Sequence, residues 1–189
     1  MPSTFFAADH HLGHLGMIKF TRSDGLTPLR EFANVDEMNE HIIKQHNSVV
    51  KPKDTCWFLG DVVINRRYLA LISQMNGRKR LVLGNHDIFK NKDYYNAGFE
   101  DLHAFRKFDG FVATHIPVHR ESLRPSWGKN VHGHLHSNRV VKTVRNTAEV
   151  IDWGSEFVNV VDPDYYCVSM EHLNEYTPVS LEELRAKFY

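Results

Sequence analysis

Thr4-Phe5-Phe6-Ala7-Ala8-Asp9-His10-His11-Leu12-Gly13-His14 is the stretch on which the fold turns. Residues 4–8 form an apolar run without polar alternation, which reads as a buried strand. The run stops at Asp9, where the side chains change from core-forming to metal-capable. The same change recurs four times. Thr55-Cys56-Trp57-Phe58-Leu59 breaks at Gly60-Asp61, and Leu81-Val82-Leu83 breaks at Gly84-Asn85-His86-Asp87. Phe111-Val112-Ala113-Thr114 ends at His115-Ile116-Pro117, and Asn130-Val131-His132 ends at Gly133-His134-Leu135-His136.

Helical signals lie between the early strands. Val35, Met38, Ile42 and His46 recur at three- and four-residue intervals, behind Asn34 and Glu37 as a capping box. Tyr68 to Met75 reads as a second helix stopped by Asn76-Gly77. Strand-like pieces follow at Val140–Val144, Phe157–Val161 and Tyr165–Met170, and a final helix starts near Ser180, capped by Ser180 and Glu183. Alternation in the first half implies βαβ units and a largely parallel sheet. The strand-rich second half makes the expectation an α/β sandwich of mixed sheets rather than one doubly wound sheet.

Composition bounds the class. A chain of 189 residues fits one domain spanning residues 1–189. Apolar residues make up 42%, which excludes a disordered chain, and no apolar run approaches a membrane span. The 23 basic residues balance 23 acidic ones, which argues against nucleic-acid binding by bulk charge and leaves a local basic groove open. Met1-Pro2-Ser3-Thr4 has no secretory pattern, and Cys56 and Cys167 stand apart in apolar surroundings. We therefore expect a cytoplasmic protein with reduced core cysteines. Of 13 histidines, nine (His10, His11, His14, His86, His115, His119, His132, His134, His136) crowd around the strand ends. Clustering at turns points to metal ligands or acid–base groups.

Ligands of open α/β sheets bind outside the carboxyl ends of the strands, so five such ends side by side converge on one place. In extended backbone, residues two apart face the same way, which pairs Asp9 with His11 and His134 with His136. The donors are carboxylate, imidazole and one amide, without thiolate. That set suits Mn²⁺, Fe or Zn²⁺ in a catalytic site rather than a structural zinc. Seven candidate ligands are too many for one tetrahedral ion and suit two ions about 3.5–4 Å apart, an arrangement that hydrolyses phosphate esters.

The ordered blocks D-x-H, G-D, G-N-H-D, H and G-H-x-H resemble those of the calcineurin-like metallophosphoesterase superfamily. The opening Ala8-Asp9-His10-His11-Leu12-Gly13-His14 is similar to its small, cap-less bacterial and phage-type members. The resemblance covers roughly residues 4–170. It implies a four-layer α/β/β/α sandwich, two mixed β-sheets flanked by helices, with a dimetal site at the strand ends. It implies that Asp9, His11 and His136 hold the first metal, Asp61 bridges, and Asn85, His115 and His134 complete the second. His86 becomes the proton donor to the leaving group, and manganese the expected metal, with iron or zinc as alternatives.

Around this set, His14, His119 and Arg120 are expected near the pocket rim and Arg66 within reach of substrate, as phosphate contacts. Asp87 is expected to orient the turn, and His10 and His132 to pack away from the site. His41, His46, His103 and His172 read as structural, and Arg78-Lys79-Arg80 as solvated surface. Trp57, Trp127 and Trp153 are candidates to stack on a base; Trp57 reads as core, and Trp127, in the polar loop Arg124-Pro125-Ser126-Trp127-Gly128, is the one to test. The protein-phosphatase branch continues as G-D-x-V-D-R-G and carries G-N-H-E. Here Gly60-Asp61-Val62-Val63-Ile64-Asn65-Arg66 and Gly84-Asn85-His86-Asp87 lack that carboxylate and that arginine. The expectation is a phosphodiesterase acting on a small or exposed ester, of nucleotide type or an RNA end, with no membrane or obligate protein partner. A phosphomonoesterase with the same centre is the alternative, and a non-catalytic metal-binding scaffold is the alternative of another class.

Overall fold

A computed structural model describes residues 2–123, 127–146 and 156–188. Trp153 and part of the loop around Trp127 lie outside them. The first sheet has five strands in the order β11-β1-β2-β3-β4. Strands β1 (Thr4–Ala7), β2 (Thr55–Phe58), β3 (Arg78–Val82) and β4 (Phe99–His103) run parallel, and β11 (Val179–Ser180) adds antiparallel to β1. Helix α1 (Val35–Val49), a 3₁₀ segment over Arg66–Gln74 and helix α2 (Asn91–Asn96) make the crossovers. The second sheet, ordered β10-β7-β6-β5, pairs β5 (Arg106–Phe108) antiparallel with β6 (Phe111–Ala113). Strands β7 (Lys129–His132) and β10 (Tyr165–Cys167) continue it in parallel. A separate hairpin pairs β8 (Val141–Arg145) with β9 (Phe157–Val161), and helix α3 (Leu181–Phe188) closes the chain.

Both sheets are mixed and flanked by helices, as the sequence led us to expect. Alternation within β1 and β2 explains the layering. Phe5, Ala7, Cys56 and Phe58 face the helices and pack with Met38, Ile42, Leu69, Ile72 and Tyr94. Phe6, Ala8, Trp57 and Leu59 face the other way, against Phe111, Ala113 and Val131 of the second sheet and Leu184 of α3. A strand buried on both faces has no polar side to show, hence its unbroken apolar run. Both cysteines are free and buried. Among the described residues, no helix is long and apolar enough to cross a membrane.

The caps form as expected. The Asn34 side chain accepts from the N–H groups of Asp36 and Glu37, and Ser180 and Glu183 cap α3 reciprocally. The Arg78-Lys79-Arg80 triplet opens β3, and while Arg78 is exposed as expected, Lys79 and Arg80 depart from solvated surface. Lys79 is buried, with its ammonium donating to the carbonyls of Met75 and Gly77, and Arg80 lies over the Trp57 ring. A lysine can bury its stem when backbone carbonyls receive its charge.

His46 is buried in α1 against Phe58, and its Nε2–H donates to the Asn76 carbonyl. Burial pushes its pKa down to about 4, against 6.5 for an exposed imidazole. Between those values the unfolded chain takes up a proton that the folded chain refuses, so stability falls as pH falls through that window. Urea unfolding of the metal-free protein at pH 7 and 4.5 should show the wild type losing about 2 kcal/mol more than His46→Gln. Equal losses would contradict the assignment.

Candidate metal centre

Five loops meet at the carboxyl ends of β1, β2, β3, β6 and β7, and backbone hydrogen bonds join the loop after β1 to that after β2 and the loop after β6 to that after β7. Asp9 N–H donates to the Gly60 carbonyl at 3.0 Å, His11 N–H to Asp61 at 3.0 Å, and Gly133 N–H to His115 at 2.9 Å. The fit leaves no room for side chains at the glycines. A Cβ on Gly84 would sit 2.2 Å from Asp61 Oδ1, and one on Gly133 2.6 Å from Asp9 Oδ2.

The backbone there is not extended. Asp9 (φ 57°), His11 (φ 47°), Asp61 (φ 55°), His134 (φ 70°) and His136 (φ 49°) all occupy the left-handed region. The i, i+2 pairs therefore converge through tight left-handed turns, which corrects the extended-strand argument. Non-glycine residues in such conformations cost free energy and persist where surrounding structure holds them, characteristically at functional sites.

Each carboxylate is anchored through one oxygen and presents the other. Asp9 Oδ2 accepts from the His134 N–H at 2.8 Å and the Ser169 hydroxyl at 2.6 Å, while its buried Oδ1 has no hydrogen-bond partner. Asp61 Oδ1 accepts from the His86 N–H at 2.8 Å. Its Oδ2 lies 3.8 Å from His11 Nε2 and 3.3 Å from His115 Nε2, between the two sides of the centre. The imidazoles follow the same rule. His115 Nδ1–H donates to the Leu59 carbonyl at 2.8 Å, and His136 Nδ1 faces Glu171 at 3.3 Å, so both turn Nε2 inward. Among the described residues two donor groups result, Asp9–His11–His136 and Asp9–Asp61–His115, each with its atoms within 4.8 Å of one another. Asn85 Oδ1 lies 3.0 Å from His115 Nε2, and the His134 ring 5.2 Å from that of His115. Orphaned buried donors on Asp9 and His11, in an oxygen and nitrogen set, fit divalent cations.

Electrostatics agree. Burial pushes the Asp9 carboxyl up to about 6 and holds His11 well below its usual range. Burial also opposes charge on His115 and His136, yet the carboxylates beside them, Asp61 and Glu171, outweigh it and raise both. The buried carboxylates thus favour the protonated form of both imidazoles.

The chain is similar to several known proteins, although no family model matches it. An uncharacterized protein of Methanocaldococcus jannaschii is 31% identical over 148 residues, covering 74% of this chain and 73% of the archaeal one. This chain belongs to that protein's family. The gene 66 protein of mycobacterium phage L5 is 37% identical over 93 residues, 46% of this chain and 41% of its own. Across 98% of this chain and 99% of the other, a protein of unknown function from Aquifex aeolicus has the same fold, with TM-score 0.63 at 23% identity. An archaeal phosphodiesterase aligns at TM-score 0.43 and 16% identity, too loosely to bear on activity.

The other expected residues divide. His14 reaches the centre, its ring 5.7 Å from that of His11. His86 is exposed, its ring also 5.7 Å from that of His11. Asp87 accepts the N–H groups of Asp61, Val62 and Gly84, and so orients the turn. His10 packs on Phe58, and His132 is buried beside the Gly133 carbonyl. Arg66 is engaged by Asp93 of α2, Arg120 by Asp162 and Asp164, and His119 is exposed with Nδ1 accepting the Glu121 N–H.

Two residues escaped the sequence reading. Arg30 is buried, donating to the carbonyls of Asp9 and His10 and, at 2.8 Å, to Glu171. Burial pushes the Glu171 carboxyl up, but Arg30 and His136 overcome it and hold the group at about 2. No local signal marks partners separated by 141 positions.

Glu171→Gln should weaken Mn²⁺ binding about 10- to 100-fold, as loss of a carboxylate that orients a ligating histidine does. It should also lower stability by about 3 kcal/mol, because Arg30 is left buried without its counter-charge. Calorimetric titration and thermal unfolding check both effects. In the wild type, metal must displace protons, so Mn²⁺ affinity should fall about tenfold per pH unit below neutrality. Titrations in buffers of different ionisation enthalpy would report the released protons, and a pH-independent affinity would contradict the charge assignment.

Proposed function

We propose that the protein is a metal-dependent phosphoesterase whose preferred substrates are small or exposed phosphodiesters of nucleotide type. The observation that carries this reading is the pair of donor groups sharing Asp9, with Asp61 Oδ2 between imidazoles of both, beside an exposed histidine. Asp9, His11 and His136 would hold one ion and Asn85, His115 and His134 the other, with Asp61 as bridge. Manganese suits this donor set, and iron or zinc also accept it. Bound ions supply an activated water and neutralise phosphate charge.

The remaining work belongs to the chain. Leu59 and Glu171 fix how His115 and His136 face the centre. The Asp61 carboxylate holds the His86 backbone, which stations that imidazole to give a proton to the departing alkoxide. Charge supports a diester over a monoester. Arg66 and Arg120 are both engaged by carboxylates, so neither adds a free cation to meet a dianion.

Hydrolysis of bis-p-nitrophenyl phosphate with Mn²⁺, beside the p-nitrophenyl monoester, tests the reading. The diester should be favoured, and Asp61→Asn should abolish turnover. His86→Ala should cost about 10²- to 10⁴-fold on alkyl leaving groups and much less on nitrophenolate, which needs no proton. Preference for the monoester would move the protein to the phosphatases. Two bound ions without turnover of either ester would favour the scaffold.

A further inference from the structure

Beside the centre lies a cavity of about 590 Å³, within the range of small-molecule sites. It shares Asn85 and His115 with the candidate ligand set, so anything filling it reaches the second metal position directly. Away from those two residues its described walls are apolar except for the hydroxyls of Thr114 and Ser122. Val112 and Val118 line it from the second sheet and its loop, and Phe105, Ile116 and Trp127 form the mouth. Phe105 and Ile116 are 52% and 53% exposed, a hydration cost for which the fold gives no return. The Phe105 and Trp127 rings stand 6.1 Å apart at 52°, open to a flat partner rather than stacked on each other. Among the described residues, no lysine, arginine, aspartate or glutamate lines the cavity. The Thr114 hydroxyl is spent on the Ile116 carbonyl and the Asn130 amide.

A pocket whose described walls carry no charge, edged by aromatic rings and joined to a phosphate-competent centre, selects an ester by its uncharged part. We propose that it receives the nucleobase of the substrate, stacked against Trp127 and Phe105, while the phosphate lies over the Asn85–His115 end. The assignment rests on the phosphoesterase reading and narrows its substrate class to nucleotide esters. Stacking on an aromatic side chain tolerates any base, so the pocket favours a base over none without choosing strongly among bases.

Adenosine 5′-phosphate carries a base where ribose 5-phosphate carries the anomeric hydroxyl, and the pair tests the pocket without turnover. Calorimetric titration of the Mn²⁺-loaded protein should show the nucleotide binding at least about tenfold more tightly. In Trp127→Ala, and in the half-exposed Phe105→Ala, that ratio should fall below about threefold, with Trp127→Phe retaining most of it. Equal binding of the two ligands, no binding of either, or a ratio that survives both alanine variants would overturn the assignment. Hydrolysis of bis-p-nitrophenyl phosphate reports separately on the parent reading. A base-dependent ratio without hydrolysis would keep the pocket and reject the enzyme.

Discussion

Arg30 reaches through the core to the carbonyls of Asp9 and His10, and its remaining donor meets Glu171. The other side of Glu171 faces His136. One buried ion pair thus fastens the loop after β1 to the histidine after β7, across the two sheets. Asp9, His11 and His136 sit in left-handed backbone, which unsupported turns would leave. The pair is a constraint on geometry more than a source of stability, since burying two charges costs nearly what their attraction returns. What it secures is the meeting of side chains from distant parts of the chain at one place.

The other contacts repeat that logic. Ser169 and the His134 N–H take one oxygen of Asp9, the His86 N–H takes one oxygen of Asp61, and the Leu59 carbonyl takes one nitrogen of His115. Asp9, Asp61, His115 and His136 are each held on an outer atom, so the orientation of their inner atoms is set by the protein itself. The inner atoms leave carboxylates and imidazoles crowded in a dry site. Raised pKa values on Asp9, His115 and His136 express that crowding, which divalent cations would relieve.

Much of this was legible in the sequence, and what was missed has physical reasons. Strands β1 and β2 could be read because burial on both faces leaves only apolar side chains. Strands β4 and β5 could not, because Glu100, Asp101, Arg106 and Lys107 decorate sheet edges that water reaches on one side. The convergence of the strand ends was legible from the polar residue following each run. The left-handed turns that achieve it were not, since aspartate and histidine enter that conformation more often than most side chains but mark it far less clearly than glycine does. Arg30 and Glu171 were invisible because nothing local distinguishes them from surface charges. Arg66 and Arg120 stand near the right elements, but Asp93, Asp162 and Asp164 claim them, and no spacing rule reveals a competing carboxylate.

The central claim is a two-ion centre organised around Asp61. Anomalous X-ray diffraction from crystals grown with Mn²⁺ tests it most directly. The account predicts two peaks about 3.5–4 Å apart, one against Asp9, His11 and His136, the other against Asn85, His115 and His134, with Asp61 touching both. A single peak, or peaks away from these residues, would contradict it.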